Sequence, residues 1–209
     1  MSKRESNKLA NRSEILDAAR TLFLQRGVDA VTIRDVIHRT QLATGTFYNY
    51  FRTKEDLLRA LIEEQVLDLT DRLRDVRRGA RTLEEFVRGA YRTAFSAIVQ
   101  DPALYGLMMR NEHAVRSLYQ DGIMDVSTRA LRDDIRDAIR RRIMPALDAD
   151  WLAAAFFGTG YEMGRLLAQG PRQDAEAAAD FATRLFLGGI VSFASGKVAL
   201  LKPRVRATI

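Results

Sequence analysis

The fold is decided by residues 31–58, which read VTIRDVIHRTQLATGTFYNYFRTKEDLL. Thr32 is followed three residues later by Asp35, a spacing typical of a capped helix start. The apolar pattern predicts that this helix ends near Thr40. After a turn of three or four residues, a second short helix is predicted over residues 44–50. Two helices of under ten residues therefore stand close together in this stretch.

The flanking residues complete the pattern. Phe47 and Phe51 are four apart, so both should lie on the inner side of the second helix. Thr53 and Asp56 repeat the capping spacing and open a longer helix. Two short helices joined by a turn around Gln41 are typical of a helix-turn-helix, whose second helix lies in the major groove of DNA.

The outer face of the second helix is polar. Hydroxyl and amide groups there can bond to base edges or phosphates, and Gly45 lets the backbone approach DNA closely. The start of the helix at Lys54 adds free amides and a cation, which suit a phosphate. The candidate DNA-binding residues are Thr32, Thr44, Gly45, Thr46, Tyr48, Asn49, Tyr50 and Lys54.

Residues 11–62 resemble the DNA-binding signature of the tetracycline-repressor (TetR) family in motif, spacing and position. The resemblance implies a two-domain, all-helical homodimer whose C-terminal domain holds an effector pocket and the dimer interface. It implies that Thr32 and Lys54 position phosphates, that Tyr48 reaches the DNA backbone, and that the base-edge candidates are Thr44, Gly45, Thr46 and Asn49.

Some positions need separate interpretation. Gln41 stands where the family favours glycine, Ala43 where it favours a serine cap, and Ile37 where it favours alanine. A missing cap oxygen lowers helix stability by about 0.5 to 2 kcal/mol. These departures therefore affect the first turn of the recognition helix. Tyr50 has two open interpretations, contact with DNA or packing against the following domain.

The rest of the chain also shows helical periodicity, so the fold class is all-α, with a three-helix helix-turn-helix domain before a larger helical domain. The first helix is expected to begin at Asn11, capped with Glu14, and to end at Gly27. Later helices are predicted over residues 82–100, from 101, within 114–143 with a break near Gly122, and over 150–169 and 173–195. The predicted domains are residues 1–53 with a basic N-terminal arm, residues 54–195, and a basic tail at 196–209.

The larger domain is rich in aromatic residues and methionines, which predicts an apolar cavity for a small apolar or aromatic effector. The cavity is expected between the helix from Thr82, the segment 102–111 and the helix of residues 150–169. The predicted lining residues are Phe95, Met108, Phe157 and Tyr161. The last two helices should pair with their copies in a homodimer, because small residues there permit close approach: Gly160, Gly164, Gly188 and Gly189.

Charge favours a polyanionic partner. The net charge is +6, and the first 60 residues hold 11 Lys and Arg against seven Asp and Glu. We therefore expect double-stranded DNA, in the form of a palindromic operator, as the partner. The modest charge and the lysine-free recognition face argue against a sequence-indifferent DNA binder. Lys3, Arg4 and Lys8 could reach the minor groove or simply be solvated.

Other functions find little support. There is no cysteine, and the two histidines, His38 and His113, join no convergent catalytic group. We expect no catalytic residue, no metal site and no cofactor. The sequence contains neither an apolar run long enough for a membrane span nor a signal peptide, so a cytoplasmic regulator is expected.

Overall fold

The computed structural model describes residues 2–111, 123–170 and 174–195. In this part of the chain every regular element is an α-helix, which confirms the predicted fold class. The helices are α1 Lys3–Arg26, α2 Ile33–Arg39, α3 Thr44–Tyr48, α4 Lys54–Gly79, α5 Leu83–Gln100, α6 Pro102–Arg110, α7 Ile123–Arg140, α8 Ala149–Gln169 and α9 Ala175–Ser195. The predicted break near Gly122 and the tail at 196–209 lie outside the described residues.

The helices enclose two cores. The first joins α1, α2 and α3 to the first three turns of α4, a unit that we call the head. Large side chains fill its centre, among them Phe23, Phe47 and Ile62, each fully buried. Burial of such side chains contributes roughly 1.5 to 3 kcal/mol each.

The second core lies among α5, α7, α8 and α9, which we call the cavity domain. Aromatic rings occupy its middle: Tyr91 stacks on Phe156 with ring centroids 4.4 Å apart, and Phe186 lies 5.1 Å from Phe156. Helix α4 runs from one core to the other, because its first turns pack in the head and its last turns contact α5 and α7.

Helix α1 begins earlier than predicted. Its N-cap is Ser2, whose hydroxyl accepts from the Glu5 amide, and the Glu5 carboxylate accepts from the Ser2 amide in return. This capping box lowers the pKa of Glu5 through the backbone and side-chain hydrogen bonds of Ser2. The predicted start at Asn11 is therefore wrong, and the basic N-terminal arm is helical from Lys3.

Among the described helices, none has both the length and the apolar content needed to cross a membrane.

Candidate nucleic-acid interface and cavity

The helix-turn-helix begins with a strong cap on α2. The Thr32 hydroxyl accepts from the Asp35 amide at 3.2 Å, and the Asp35 carboxylate accepts from both the amide and the hydroxyl of Thr32. These hydrogen bonds lower the pKa of Asp35. Thr32 thus holds the start of α2, and its predicted contact with a phosphate would use the same exposed corner.

The turn between α2 and α3 accommodates its unusual residues without strain. Among the described non-glycine residues only Arg142 has a positive φ, so Gln41 does not need the conformation that favours glycine. Its amide donates to the Glu14 carboxylate at 2.9 Å, which fixes the turn to α1. Ala43 caps α3 without a side-chain hydrogen bond, and Ile37 is half-buried against the head core.

Helix α3 is shorter than predicted, because it ends at Tyr48 and Asn49 is its C-cap. Phe47 anchors the helix from inside and is fully buried. Thr44, Gly45, Tyr48 and Asn49 are exposed, and Thr46 is half-buried. A Cβ added to Gly45 would meet nothing within 4 Å, so the protein itself does not require this glycine.

The two tyrosines of this segment differ. The Tyr48 side chain is half exposed and meets the edge of the Phe47 ring, with centroids 5.5 Å apart. Tyr50 follows the helix, is half-buried and packs against the head core. Its packing interpretation therefore has a structural basis within the head, and its contact with DNA stays a prediction.

Lys54 begins α4 and has a structural partner that the sequence did not suggest. Its ammonium donates to the carbonyls of Val28 and Asp29, each at 3.1 Å. An ammonium carries three donors, so two of them hold the turn between α1 and α2. The predicted phosphate contact would have to use the third donor or replace one of these bonds.

The cavity domain contains a cavity of about 170 Å³ between five helices, α4 to α8. Its walls are mostly apolar. Met108, Phe157 and Tyr161 line it, as predicted. Phe95 does not: it is fully buried and stacks on Tyr91, with centroids 5.5 Å apart, so its predicted place on the cavity wall is wrong.

The predicted lining residues included none from α4 or α7. One face of α4 lines the cavity through residues three or four apart, and α7 supplies two more side chains. These lining residues are Val66, Leu69, Thr70, Leu73, Arg77, Ser127 and Leu131. The helical spacing along α4 was visible in the sequence, but it does not say which other helices face it.

Most polar groups identified on the cavity wall are already hydrogen-bonded. Thr70 donates its hydroxyl to the Val66 carbonyl at 2.6 Å and lies 2.6 Å from the Ser127 hydroxyl. Tyr91 donates to the Phe156 carbonyl at 3.1 Å, and burial raises the pKa of its hydroxyl.

Arg77 forms a buried ion pair at the end of α4. Its Nε and Nη2 both lie 2.9 Å from Asp134 Oδ2, and Arg78 Nε lies 3.2 Å from Asp134 Oδ1. Arg77 and Asp134 are 4% and 2% exposed. Desolvation lowers the pKa of the Arg77 guanidinium, and the Asp134 charge opposes that shift.

Helix α6 connects the cavity to the head. Tyr105 and Met108 line the cavity, while Leu104, Leu107 and Met108 complete the head core. Asp101, which caps α6, also forms an ion pair with Arg20 of α1. A shift of α6 would therefore displace a residue that is paired directly with α1.

Helices α8 and α9 carry large apolar side chains on the outside. Leu166, Phe181, Leu185 and Val191 are each more than half exposed. The glycines are divided between two roles. A Cβ on Gly188 or Gly189 would meet nothing within 4 Å, whereas one on Gly164 would lie 2.6 Å from Ile98.

The predicted role of two glycines in dimer packing is therefore wrong. Gly164 is buried and lets α8 approach α5 within the same chain. Gly160 lines the cavity, and a Cβ there would lie 3.6 Å from Tyr91.

Comparison with known proteins identifies the helix-turn-helix. Residues 15–61 match the family model described as bacterial regulatory proteins, tetR family. This segment of the chain is therefore a helix-turn-helix DNA-binding domain of the TetR type, at the place where residues 11–62 predicted one.

Similarity to known proteins extends over most of the chain. The chain is 23% identical to the transcriptional repressor KstR2 of Mycolicibacterium smegmatis, over 93% of its own length and 97% of the relative. The match to KstR2 of Rhodococcus jostii, at 26% identity, covers 56% of this chain and about half (52%) of that relative's length. FadR from Bacillus subtilis, solved in complex with stearoyl-CoA, superposes with a TM-score of 0.71 at 21% identity over 85% of this chain and 98% of that one.

Proposed function

We propose that this chain is a repressor that binds a palindromic operator as a homodimer and is controlled by a small apolar molecule. One observation carries the proposal: α4 begins in the helix-turn-helix unit and lines the cavity with its middle and its end. A molecule in the cavity would therefore act on the same rigid element that positions the DNA-facing residues.

The exposed corner of the head supplies the DNA contacts. Base edges in the major groove are read by Thr44, Gly45 and Thr46 on the short helix α3, which Phe47 anchors, and by its C-cap residue Asn49. The contacts that position the DNA backbone come from Thr32, Tyr48 and Lys54, with Tyr50 beside them. Residues 1–53 form the reading domain, and residues 54–195 form the effector and dimerisation domain.

The outer face of α8 and α9 forms the dimer interface. Four large apolar side chains of these helices are exposed, and an interface would remove them from water: Leu166, Phe181, Leu185 and Val191. The exposed backbone at Gly188 and Gly189 allows a neighbouring helix to come close. Pairing about a two-fold axis places two heads on two half-sites of an operator.

The effector acts through differential affinity for two spacings of the heads. The cavity contacts α4 and α6, and both of these helices reach the head core. A difference of about 1.4 kcal/mol between the two spacings changes operator affinity tenfold. FadR is solved with stearoyl-CoA, whose acyl chain is apolar, and this acyl chain supports an apolar ligand group for the fold. Binding to a chromosomal operator would occur in the cytoplasm, which is the location we propose.

The test starts from a random duplex library. Selection with the full-length protein should enrich a palindrome, and that duplex should outcompete random DNA. A set of small apolar compounds is then screened for a change in operator affinity. Enrichment without a palindrome, or equal binding of random DNA, would contradict the operator proposal; an unchanged affinity with every cavity-binding compound would contradict ligand control.

Opening the cavity gives a sharper test of the ligand. Phe157→Ala should change the dose of compound needed for half-maximal response by about tenfold, because it removes a wall of the cavity. Leu9→Ala is the matched control, since Leu9 is exposed on α1, away from the cavity. An unchanged dose response in Phe157→Ala would place the effector elsewhere.

A further inference from the structure

The cavity wall contains a hydrogen-bonded relay with a fixed direction. Thr70 donates its only hydroxyl proton to the Val66 carbonyl of the preceding turn, at 2.6 Å. The contact of 2.6 Å between Thr70 Oγ1 and Ser127 Oγ must then use the proton of Ser127. Ser127 therefore donates to Thr70, and Thr70 donates to the Val66 carbonyl.

This direction determines what Ser127 can offer a ligand. A hydroxyl has one proton and two lone pairs, and the proton of Ser127 is already given to Thr70. Since Ser127 lines the cavity, it presents a lone pair there. A ligand group that meets Ser127 must be a hydrogen-bond donor.

The charge of the wall does not favour an ionic ligand. Arg77 is the charged residue among those lining the cavity, and the buried Asp134 carboxylate neutralises it through two contacts of 2.9 Å. Attracting an anion would mean weakening that pair in a buried site, which is costly. An uncharged ligand suits the wall better.

Size and shape point to a single ring. The cavity measures about 170 Å³, and an apolar protein cavity of roughly 150 Å³ accommodates benzene. Aromatic side chains line the space, among them Tyr91, Phe156, Phe157 and Tyr161, and such rings favour an aromatic partner in offset or edge-on contact.

We propose that the effector is an uncharged, single-ring aromatic compound with a hydroxyl group, and that this hydroxyl donates to Ser127 Oγ. The inference rests on the proposed ligand control of operator binding and specifies its chemistry. The donated bond completes a chain that ends at the Val66 carbonyl, so occupancy reinforces the contact between α4 and α7.

The experiment compares two probes of similar shape, 4-ethylphenol and 1-ethyl-4-fluorobenzene, by calorimetry on the full-length protein. Only the phenol can donate a hydrogen bond. We expect it to bind about tenfold more tightly than the fluoro compound, the size of effect that one good hydrogen bond gives. In Ser127→Ala that preference should disappear. Ser96→Ala, which removes a hydroxyl from α5 outside the cavity lining, should keep it.

Each result decides something. Equal binding of the two probes by the wild type, no binding of either, or a preference that survives in Ser127→Ala would overturn the inference. Operator affinity measured with the same probes separates the two proposals. If the phenol binds through Ser127 but operator affinity does not change, this ligand chemistry stands and control by this ligand fails. If both probes change operator affinity equally, ligand control stands and the inference fails.

Discussion

The head exposes its candidate functional side chains to solvent, whereas those around the cavity face the protein interior. In the head, Tyr48 at the end of α3 and its C-cap residue Asn49 are exposed, and Phe47 is the buried residue of the helix. Around the cavity, the polar side chains of Thr70 and Arg77 on α4 and of Ser127 on α7 face inward, where each has a partner. Exposed side chains can be replaced with little loss of stability. Replacing a buried polar side chain is expected to lower stability and to alter the cavity as well.

The largest expected effect is on stability, in the cavity domain. Asp134→Ala should lower the free energy of unfolding by about 3 to 5 kcal/mol, because it leaves the Arg77 guanidinium buried and unpaired. Urea unfolding followed by circular dichroism measures it. Asp133→Ala is the matched control: Asp133 is 61% exposed in its ion pair with Arg136, so its loss should cost less than about 1 kcal/mol.

Replacing both partners sharpens this test. Arg77→Met with Asp134→Leu should recover most of the lost stability, since neither charge is then buried alone. Equal stability of Asp134→Ala and Asp133→Ala would mean that Arg77 regains water, and the contrast between the two regions would be lost.

The second effect concerns assembly. Phe181→Glu puts a charge on the outer face of α9, where the side chain is 63% exposed, and should convert the proposed dimer to a monomer. Operator affinity should then fall about a hundredfold or more, because two linked heads bind with high effective concentration. Sedimentation velocity and a mobility-shift titration measure the two changes.

The control for assembly is Leu67→Glu. Leu67 is also an exposed apolar residue, at 48%, but lies on α4, so this variant should remain dimeric. A dimer that persists in Phe181→Glu, or a monomer in both variants, would show that α9 is not the interface.

The third effect is specificity in the head. Asn49→Ala should lose about 1 to 3 kcal/mol of preference at one base pair of each half-site, because it removes the amide proposed to contact a base. The exposed position of Asn49 predicts an unchanged melting temperature. A panel of single-base operator variants measures the preference; an equal loss across the whole panel would make Asn49 a backbone contact.

The smallest effect is expected at Lys54. Lys54→Ala should weaken specific and random DNA by similar factors and reduce the slope of log affinity against log salt by about one. Because Lys54 also bonds to the Val28 and Asp29 carbonyls, a lower melting temperature is expected as well. Loss of stability with an unchanged salt slope would leave Lys54 with the structural role alone.

Local features of the head were predictable from the sequence. The caps Thr32–Asp35 and Thr53–Asp56 both form as predicted, because a cap involves residues only three apart. The start of α1 was missed although Ser2 and Glu5 have the same spacing. Residues 3–10 are exposed, so no apolar stripe marked them as helical.

The cavity was only partly predictable, since its lining depends on how helices rotate against each other. Phe95 and Ala94 are neighbours on α5, yet Ala94 lines the cavity and Phe95 is buried behind it. The pair Arg77–Asp134 joins residues 57 apart, and a glycine is needed at position 164 because Ile98 and Tyr105 lie against it. Such relations arise from tertiary packing, which periodicity does not specify.

Helix α6 limits how this regulator could be recombined with others. Leu104 and Leu107 are buried in the same core as Phe23 and Phe47, so the proposed boundary after residue 53 cuts through a continuous packing unit. A chimera that grafts residues 1–53 onto another family member would leave this surface facing foreign side chains. A functional exchange of operator specificity would need to transfer α6 and the first half of α4 together with the reading helices.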